Sequence, residues 1–284
     1  PDQFLPSHAS MVHGKLKQKE IEAISFSGSC CSGMNALKYA YMSVLTGNTS
    51  NAVTTGSERF SQWMLANNFK EEIAKIKEIE ETPILAFEKD FLRWMLSDGS
   101  AAVLTSNKPN EKGLSLKIEW IEICSFANEV ETCMYMGGEK AADGDIKGWA
   151  TFKQKEWLEK SLFSIRQDVK LLDVYIAQLG TKKYVELFKK HNVDPKSIDW
   201  FLPHISSEYF RSKVDDEMKK YGVELPQEKW FVNLTQVGNI GSASIFIALG
   251  ELFKSGKLQK GQKIALTVPE SARFSYANAL FTVC

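Results

Sequence analysis

The stretch SFSGSCCSGMNAL, residues 25–37, places two adjacent cysteines, Cys30 and Cys31, where an apolar run changes into a helical pattern. The helix predicted after them carries one apolar face and ends near Gly47. A cysteine at a helix start lies beside unpaired backbone N–H groups and the positive end of the helix dipole, which both favour the thiolate. The pair therefore indicates a reactive thiol. The alternative is that both are small core residues, because cysteine is among the most buried residue types.

Length and composition limit the classes of function. The 284 residues are enough for one large or two medium domains. Lysine plus arginine equals aspartate plus glutamate at 35 each, so net charge gives no indication of nucleic-acid binding. No apolar run has the length of a membrane span and no signal peptide opens the chain, which favours a cytoplasmic protein. Because the chain begins at Pro1, we expect it to be processed or partial.

Cysteine and histidine usage gives no indication of a disulfide framework or a metal site. The five cysteines are an odd number, and the adjacent Cys30 and Cys31 are poorly placed to bond each other, which favours a reducing compartment. The four histidines show no zinc-type spacing with cysteine.

The chain alternates predicted strands and helices. Residues 21–26 form a predicted strand before the cysteine pair, and residues 52–55 another after the helix, which together make a β–α–β unit. The charged amphipathic segment 71–81 predicts a solvated helix, and residues 133–156 a long connection that is a candidate cover for a site. The remaining predicted strands are 97–106, 114–120, 198–202 and 230–232, and the remaining helices 164–190 and 206–221.

The C-terminal third repeats the theme of the cysteine segment. CCSGMNALKYAYMSVLTG, from Cys30, aligns with GNIGSASIFIALGELFKSG, from Gly238, so that Cys31 corresponds to Asn239. Both predicted helices end at a glycine, and each is followed by a strand and by the string Arg-Phe-Ser, at 59–61 and 273–275. This repeat predicts an α/β fold of two related halves about a pseudo-twofold axis, with the helix starts meeting at the centre. We place the halves at 1–160, including the connection, and 161–284.

Three polar residues lie at the junctions where such folds place chemistry. Cys31 begins one helix, Asn239 lies in the loop before its counterpart, and His204 follows the strand 198–202. A capping or core histidine and a turn asparagine beside glycines are the alternative interpretations.

Four motifs, in order, resemble those of the ketoacyl synthase III branch of the thiolase superfamily: SCCSGMNAL, LSDGSAAVL, IDWFLPHIS and QVGNIGSAS. The resemblance implies a thiolase-like fold of two α-β-α-β-α halves. It assigns the nucleophile to Cys31 and the catalytic histidine and asparagine to His204 and Asn239. The opening PDQFLPSHA resembles a segment midway through the N-terminal lobe, so we expect the first part of that lobe to be missing from this chain.

The resemblance also implies an activity. The Cys31 thiolate takes an acyl group from a coenzyme A or acyl carrier protein thioester. A malonyl-type thioester then loses carbon dioxide and condenses with that acyl group, giving a 3-oxoacyl thioester in fatty-acid or specialised (for example dialkylresorcinol-type) biosynthesis. His204 and Asn239 would stabilise the enolate, and the backbone N–H groups of Cys31 and Ala272 would form the oxyanion hole. No metal or redox cofactor is implied.

The resemblance further implies a homodimer in which Leu5 helps to line the acyl pocket. Arg211, Lys219 and Lys220, on the helix after His204, are candidates for a basic patch that binds the acyl carrier protein. The alternative for these three side chains is an ordinary solvated helix face.

One departure from the family pattern stands near the C-terminus. The family has a run of glycines before a phenylalanine, whereas this chain has Glu270-Ser271-Ala272-Arg273 before Phe274. The two charged residues predict either a partly buried ion pair or recognition of a polar or β-keto substrate. We interpret Cys30 as a structural neighbour, since a strand-to-helix turn points successive side chains in different directions.

Two other functions stay open at the level of sequence. One is a non-catalytic partner subunit of a condensing enzyme, and the other is a Cys-His-Asn thioester hydrolase. In a hydrolase, the histidine must lie within proton-transfer reach of the sulfur.

Overall fold

The computed structural model describes residues 3–65 and 95–284. The helix predicted at 71–81 lies outside the described residues. The described helices are α1 His8–Leu16, α2 Ser32–Leu45, α3 Gln154–Glu159, α4 Val169–Lys190, α5 Tyr209–Lys220, α6 Leu234–Val237 and α7 Ser244–Lys254. The described strands are β1 Asn51–Glu58, β2 Gly99–Ser106, β3 Leu116–Ser125, β4 Met134–Tyr135, β5 Gly138–Lys140, β6 Ile146–Gly148, β7 Arg166–Gln167, β8 Trp200–Pro203, β9 Lys263–Glu270 and β10 Ser275–Val283.

A four-stranded sheet in the order β3-β10-β9-β8 forms the centre of the molecule. β8 and β9 are parallel, and the other two pairings are antiparallel. β10 reads SYANALFTV and is buried along nearly its whole length, as expected for a strand covered on both faces. β1 and β2 form a separate antiparallel ribbon, in which Val53 lies opposite Leu104.

The starts of the two equivalent helices meet at the centre of the fold. Gly33, in the first turn of α2, packs on the short 3₁₀ turn Gly241–Ala243 that leads into α7. A Cβ at Gly33 would lie 2.4 Å from the carbonyl oxygen of Ser242, so the two backbones touch only because residue 33 is glycine. This contact is the one expected from the internal repeat, and it agrees with the predicted two-part α/β fold.

Three predicted elements differ in the structure. Residues 21–26 are not a strand, since they are exposed and pair with none of the described strands, which leaves the predicted β–α–β unit without its first strand. Residues 230–232 form only an isolated bridge between Trp230 and Phe201. The long helix begins at Val169, and not at 164, because the Asp168 carboxylate caps it by accepting the Leu171 N–H.

The central sheet joins the two predicted halves. β3 belongs to the segment 1–160, whereas β8, β9 and β10 belong to 161–284, and β3 pairs with β10 along its length. The division into those two halves stays a prediction. In residues 3–65 and 95–284, no helix is both long and apolar enough to cross a membrane.

Candidate active site

A cavity of about 630 Å³ opens beside the meeting point of the helix starts. Its polar lining includes Cys30, Glu58, His204 and Asn239. Much of the remaining lining is apolar and unusually rich in methionine: Met11, Met64, Met95, Met134 and Met136. Such flexible, polarizable side chains adapt to irregular apolar ligands. The cavity therefore combines several polar groups with an adaptable apolar lining.

The two cysteines are placed differently from the prediction. Cys30 lines the cavity, whereas Cys31 is 2% exposed and packs in the central hydrophobic cluster. The Cys31 thiol donates a hydrogen bond to the Val268 carbonyl at 3.2 Å. The physical reason is that Cys31 already has helical backbone angles (φ −77°, ψ −14°), so it continues into α2 with its side chain against β9. In this conformation Cys30, and not Cys31, faces the cavity.

The thiols of the pair are protonated at neutral pH. Burial, followed by the negative charges of Glu270 and Glu58, raises the pKa of Cys30 to about 12. Burial and Glu270 also raise the pKa of Cys31 far above its usual value. The prediction that the helix start favours a thiolate is therefore wrong for this conformation, since desolvation and a nearby carboxylate outweigh the helix dipole.

His204 is held at the end of β8 as a neutral side chain. Its backbone N–H donates to the Thr267 carbonyl at 2.9 Å, which extends the pairing of β8 with β9. The residue is 7% exposed, and burial lowers the pKa of its imidazole to about 4. The ring atom Nε2 is buried and has no hydrogen-bond partner among the described residues. A neutral imidazole keeps one N–H donor, so His204 can donate a hydrogen bond without carrying a charge.

The side chain of Asn239 is fixed by its own loop. Its Oδ1 accepts hydrogen bonds from the Gly241 N–H at 2.9 Å and the Ser244 hydroxyl at 3.4 Å. The orientation of the amide is assigned from these donors, which leaves the NH₂ group outside these two hydrogen bonds. Asn239 is 4% exposed and lines the same cavity as His204. The structure therefore brings together the histidine and asparagine that the sequence predicts.

The predicted oxyanion-hole donors have different surroundings. Ala272 lines the cavity, and its carbonyl accepts the Cys133 N–H at 2.9 Å. The Cys31 N–H, in contrast, donates to Oε2 of Glu270 at 2.9 Å. The ion pair predicted between Glu270 and Arg273 is wrong, because Arg273 reaches outward and pairs with Asp145 at 2.8 Å.

Glu58 and Glu270 form a reciprocal pair that the sequence analysis did not identify. Glu58 ends β1, in the first half, and accepts the Ser242 N–H (3.1 Å) and hydroxyl (2.7 Å) before α7, in the second half. Glu270 ends β9, in the second half, and accepts backbone N–H groups at the start of α2, in the first. The available signal was that each glutamate closely precedes one of the two Arg-Phe-Ser strings.

The segment predicted to line a partner's acyl pocket is on the surface. Leu5 is 85% exposed, and its neighbour Phe4 stacks on Trp149 with ring centroids 5.9 Å apart. The cavity of the same chain is lined instead by His8 and Met11, from α1. Leu5 therefore does not line this cavity, and its role in a dimer stays a prediction.

The predicted basic patch is electrically compensated. Arg211 pairs with Glu208 at 2.6 Å, Lys219 with Asp215 at 2.8 Å, and Lys220 with Glu217 at 2.5 Å. Because each cation pairs with an acid on its own helix or next to it, the surface has little net positive charge. Its role in carrier-protein binding stays a prediction.

The comparisons with known proteins agree with this architecture. The family model "3-Oxoacyl-[acyl-carrier-protein (ACP)] synthase III C terminal" matches residues 188–281, which include His204 and Asn239. The beta-ketoacyl-[acyl-carrier-protein] synthase III of Aquifex aeolicus is 24% identical over 94% of this chain and 69% of its own length. That of Clostridium perfringens is also 24% identical, over 94% of this chain and 70% of its own.

The chain is therefore similar to ketoacyl synthase III proteins along most of its length, and its residues 188–281 match the C-terminal model of that family.

Solved structures show the same fold. OleA from Xanthomonas campestris matches 99% of this chain and 73% of its own, with a TM-score of 0.75 and 19% identity. The synthase III from Thermus thermophilus matches 99% of this chain and 74% of its own, with a TM-score of 0.69 and 19% identity. At this level of sequence identity, the similarity to these solved structures shows a shared fold only.

Proposed function

We propose that this chain takes an acyl group from a thioester onto its cysteine pair and condenses it with a malonyl-type thioester by decarboxylation. One observation carries the proposal: a single cavity is lined by Cys30, His204 and Asn239, and Cys31, the residue after Cys30, is buried. The match of residues 188–281 to the synthase III family model and the names of the curated relatives support the same reaction.

The first step is acyl transfer. A cysteine thiolate attacks the thioester carbonyl, a new carbon–sulfur bond forms, and the carrier leaves as a thiol with the proton that the cysteine gave up. We propose Cys31 as the nucleophile, because the Ser32-Gly33 that follows it matches the family motif. Cys30 is the alternative that the cavity lining favours.

The second step is decarboxylative condensation. His204 and the NH₂ of Asn239 donate hydrogen bonds to the thioester oxygen of the malonyl group, which stabilises the enolate formed as carbon dioxide leaves. The electron pair of the broken carbon–carboxyl bond then forms the new carbon–carbon bond to the acyl carbonyl. The cysteine thiolate leaves, and the product is a 3-oxoacyl thioester. The neutral state of His204, with its pKa near 4, supports this donor role.

The substrates define the partners. We propose coenzyme A or acyl carrier protein as the thioester carriers, and a homodimer as the assembly in which the exposed Leu5 meets the second copy. Among residues 3–65 and 95–284, no group of three or more His, Cys, Asp or Glu side chains could hold a metal ion. The chemistry above uses only side chains and backbone groups of the chain.

Intact mass spectrometry tests the proposal and assigns the nucleophile. The chain is incubated with a panel of acyl-coenzyme A and acyl-carrier thioesters as wild type, Cys30→Ala and Cys31→Ala, with Cys284→Ala, an exposed thiol outside the cavity, as the control. We expect one acyl adduct that Cys31→Ala abolishes and the other two variants keep. Loss in Cys30→Ala alone would move the nucleophile to Cys30. An adduct in neither the wild type nor any variant would contradict the function.

A further inference from the structure

Glu270 occupies the turn that leads into α2. Its Oε2 accepts hydrogen bonds from the Ser29 N–H at 3.0 Å and the Cys31 N–H at 2.9 Å. Gly28, with φ of +133°, lets the chain bend around this carboxylate, and a Cβ there would lie 3.6 Å from Oε2. The turn is therefore folded around a carboxylate that comes from the other half of the molecule.

The carboxylate competes for a donor that the proposed reaction needs. The Cys31 N–H is one of the two groups expected to stabilise the oxyanion of an acyl-cysteine intermediate. An ionised carboxylate accepts a hydrogen bond more strongly than a neutral thioester carbonyl does. As long as Glu270 holds the Cys31 N–H, that N–H, one of the two predicted oxyanion-hole donors, is not available to an incoming thioester carbonyl.

The carboxylate also acts on the thiols by its charge. Among the described residues, the titratable groups that face the cysteine pair are Glu270 on β9, Glu58 on β1, Cys124 on β3 and Tyr276 on β10. After burial, Glu270 is the largest cause of the raised pKa of both Cys30 and Cys31. A fixed negative charge beside a thiol opposes its ionisation.

Glu58 makes the equivalent contact in the other half, between a carboxylate and the backbone before a helix, but with a different chemical consequence. Glu58 binds Ser242 before α7, where the position equivalent to Cys31 is Asn239, which does not ionise. There the carboxylate only stabilises a helix start. In the first half, Glu270 makes this contact with the backbone N–H of a cysteine, Cys31. Glu270 therefore influences reactivity, which Glu58 cannot do through its own hydrogen bonds.

We propose that Glu270 is a positioning residue that restrains the cysteine pair: with its carboxylate on the Cys31 N–H the thiols stay protonated, and acyl transfer requires that N–H to be released. The effect on acyl transfer rests on the proposed function. The effect on the protonation of the thiols follows from the residues around them alone.

Alkylation kinetics test the restraint without any acyl donor. Iodoacetamide is added to the full chain across neutral to alkaline pH, and peptide mapping assigns the product to Cys30 or Cys31; the thiolate displaces iodide and a carbon–sulfur bond forms. In Glu270→Gln, which keeps the shape of the side chain and removes its charge, we expect alkylation about ten-fold faster with a midpoint at lower pH, equivalent to one pKa unit. Glu228→Gln, on an exposed turn, is the control and is expected to match the wild type.

The outcomes separate this inference from the proposed function. A folded Glu270→Gln with the wild-type rate and pH midpoint would overturn the restraint. If Glu270→Gln does not fold, Glu270→Asp keeps the charge but shortens its reach to the N–H groups, and wild-type alkylation in that variant would overturn it equally. Faster alkylation without an acyl adduct in any variant would leave the restraint standing and reject the proposed acyl transfer.

Discussion

The imidazole of His204 links catalysis to stability. Burial lowers its pKa from 6.5 to about 4, so the folded state binds fewer protons than the unfolded state between those pH values. Stability from this group is fully present above pH 6.5 and is lost as the pH falls toward 4.

We therefore expect the free energy of unfolding to fall on acidification through that window, with a contribution from His204 of about 2–3 kcal/mol. Urea unfolding of the wild type and His204→Gln, at neutral and at acidic pH, measures it. The glutamine cannot take up a proton, so its stability should fall less. An equal loss in both proteins would contradict the assignment to His204.

Asn239 allows the donor role to be separated from the loop that holds it. Asn239→Asp keeps an oxygen for the Gly241 N–H and the Ser244 hydroxyl but replaces the NH₂ donor by a second acceptor. We expect condensation to fall about 100-fold while the acyl adduct persists. Product formation and intact mass measure the two steps. Asn110→Asp, on an exposed loop, is the control, and equal losses in both variants would reject the donor role.

Residue types, but not side-chain directions, could be predicted at this site. The motifs placed His204 and Asn239 correctly on one cavity, because a strand end and a helix start fix where each backbone lies. The order of Cys30 and Cys31 could not be settled in the same way. The side chains of adjacent residues in a turn point in different directions. Which of the two cysteines faces the cavity depends here on contacts with Val268 and Glu270, more than 230 residues away in sequence.

At the scale of elements, the contact between the helix starts tests the central packing. In Gly33→Ala the new Cβ would clash with the Ser242 carbonyl oxygen, a backbone atom that cannot move away by a change of rotamer. We expect destabilisation of about 1–3 kcal/mol. Gly250→Ala, within α7 and with no atom within 4 Å of its Cβ, is the matched control and should stabilise by about 0.5–1 kcal/mol. Urea unfolding midpoints of the two variants compare them, and similar midpoints would contradict the packing.

Elements with a clear local pattern were predictable, and their ends were less so. The helices α2, α4 and α5 follow from their apolar spacing, although α4 begins at Val169 and not at the predicted 164 because Asp168 caps it. Residues 21–26 have the composition of a strand but no described strand beside them to satisfy their backbone groups. A strand is a property of two segments, so a single apolar run cannot establish it.

At the scale of the whole molecule, the methionine-rich cavity sets the acyl group that fits. Met134 lines the cavity near Ser271, with Sδ and Oγ 3.7 Å apart. In Met134→Trp, we expect adducts from longer acyl donors to disappear and those from short donors to remain, because the larger ring fills the apolar wall. Intact mass with the donor panel measures this. Met42→Trp, on the exposed face of α2, is the control, and an unchanged range of donors in Met134→Trp would contradict the assignment of the apolar wall.

The ribbon of β1 and β2 has a consequence for how the molecule opens. A two-stranded ribbon is marginally stable in water by itself. Its outward-facing pair, Val53 and Leu104, is 63% and 68% exposed, so the ribbon depends on α2 and on the turn Gly241–Ala243 beneath it. Hydrogen exchange should therefore be faster in β1 than in the central β9 and β10. When the end of β1 frays, Glu58 releases Ser242, and one wall of the cavity loosens while the rest of the protein stays folded.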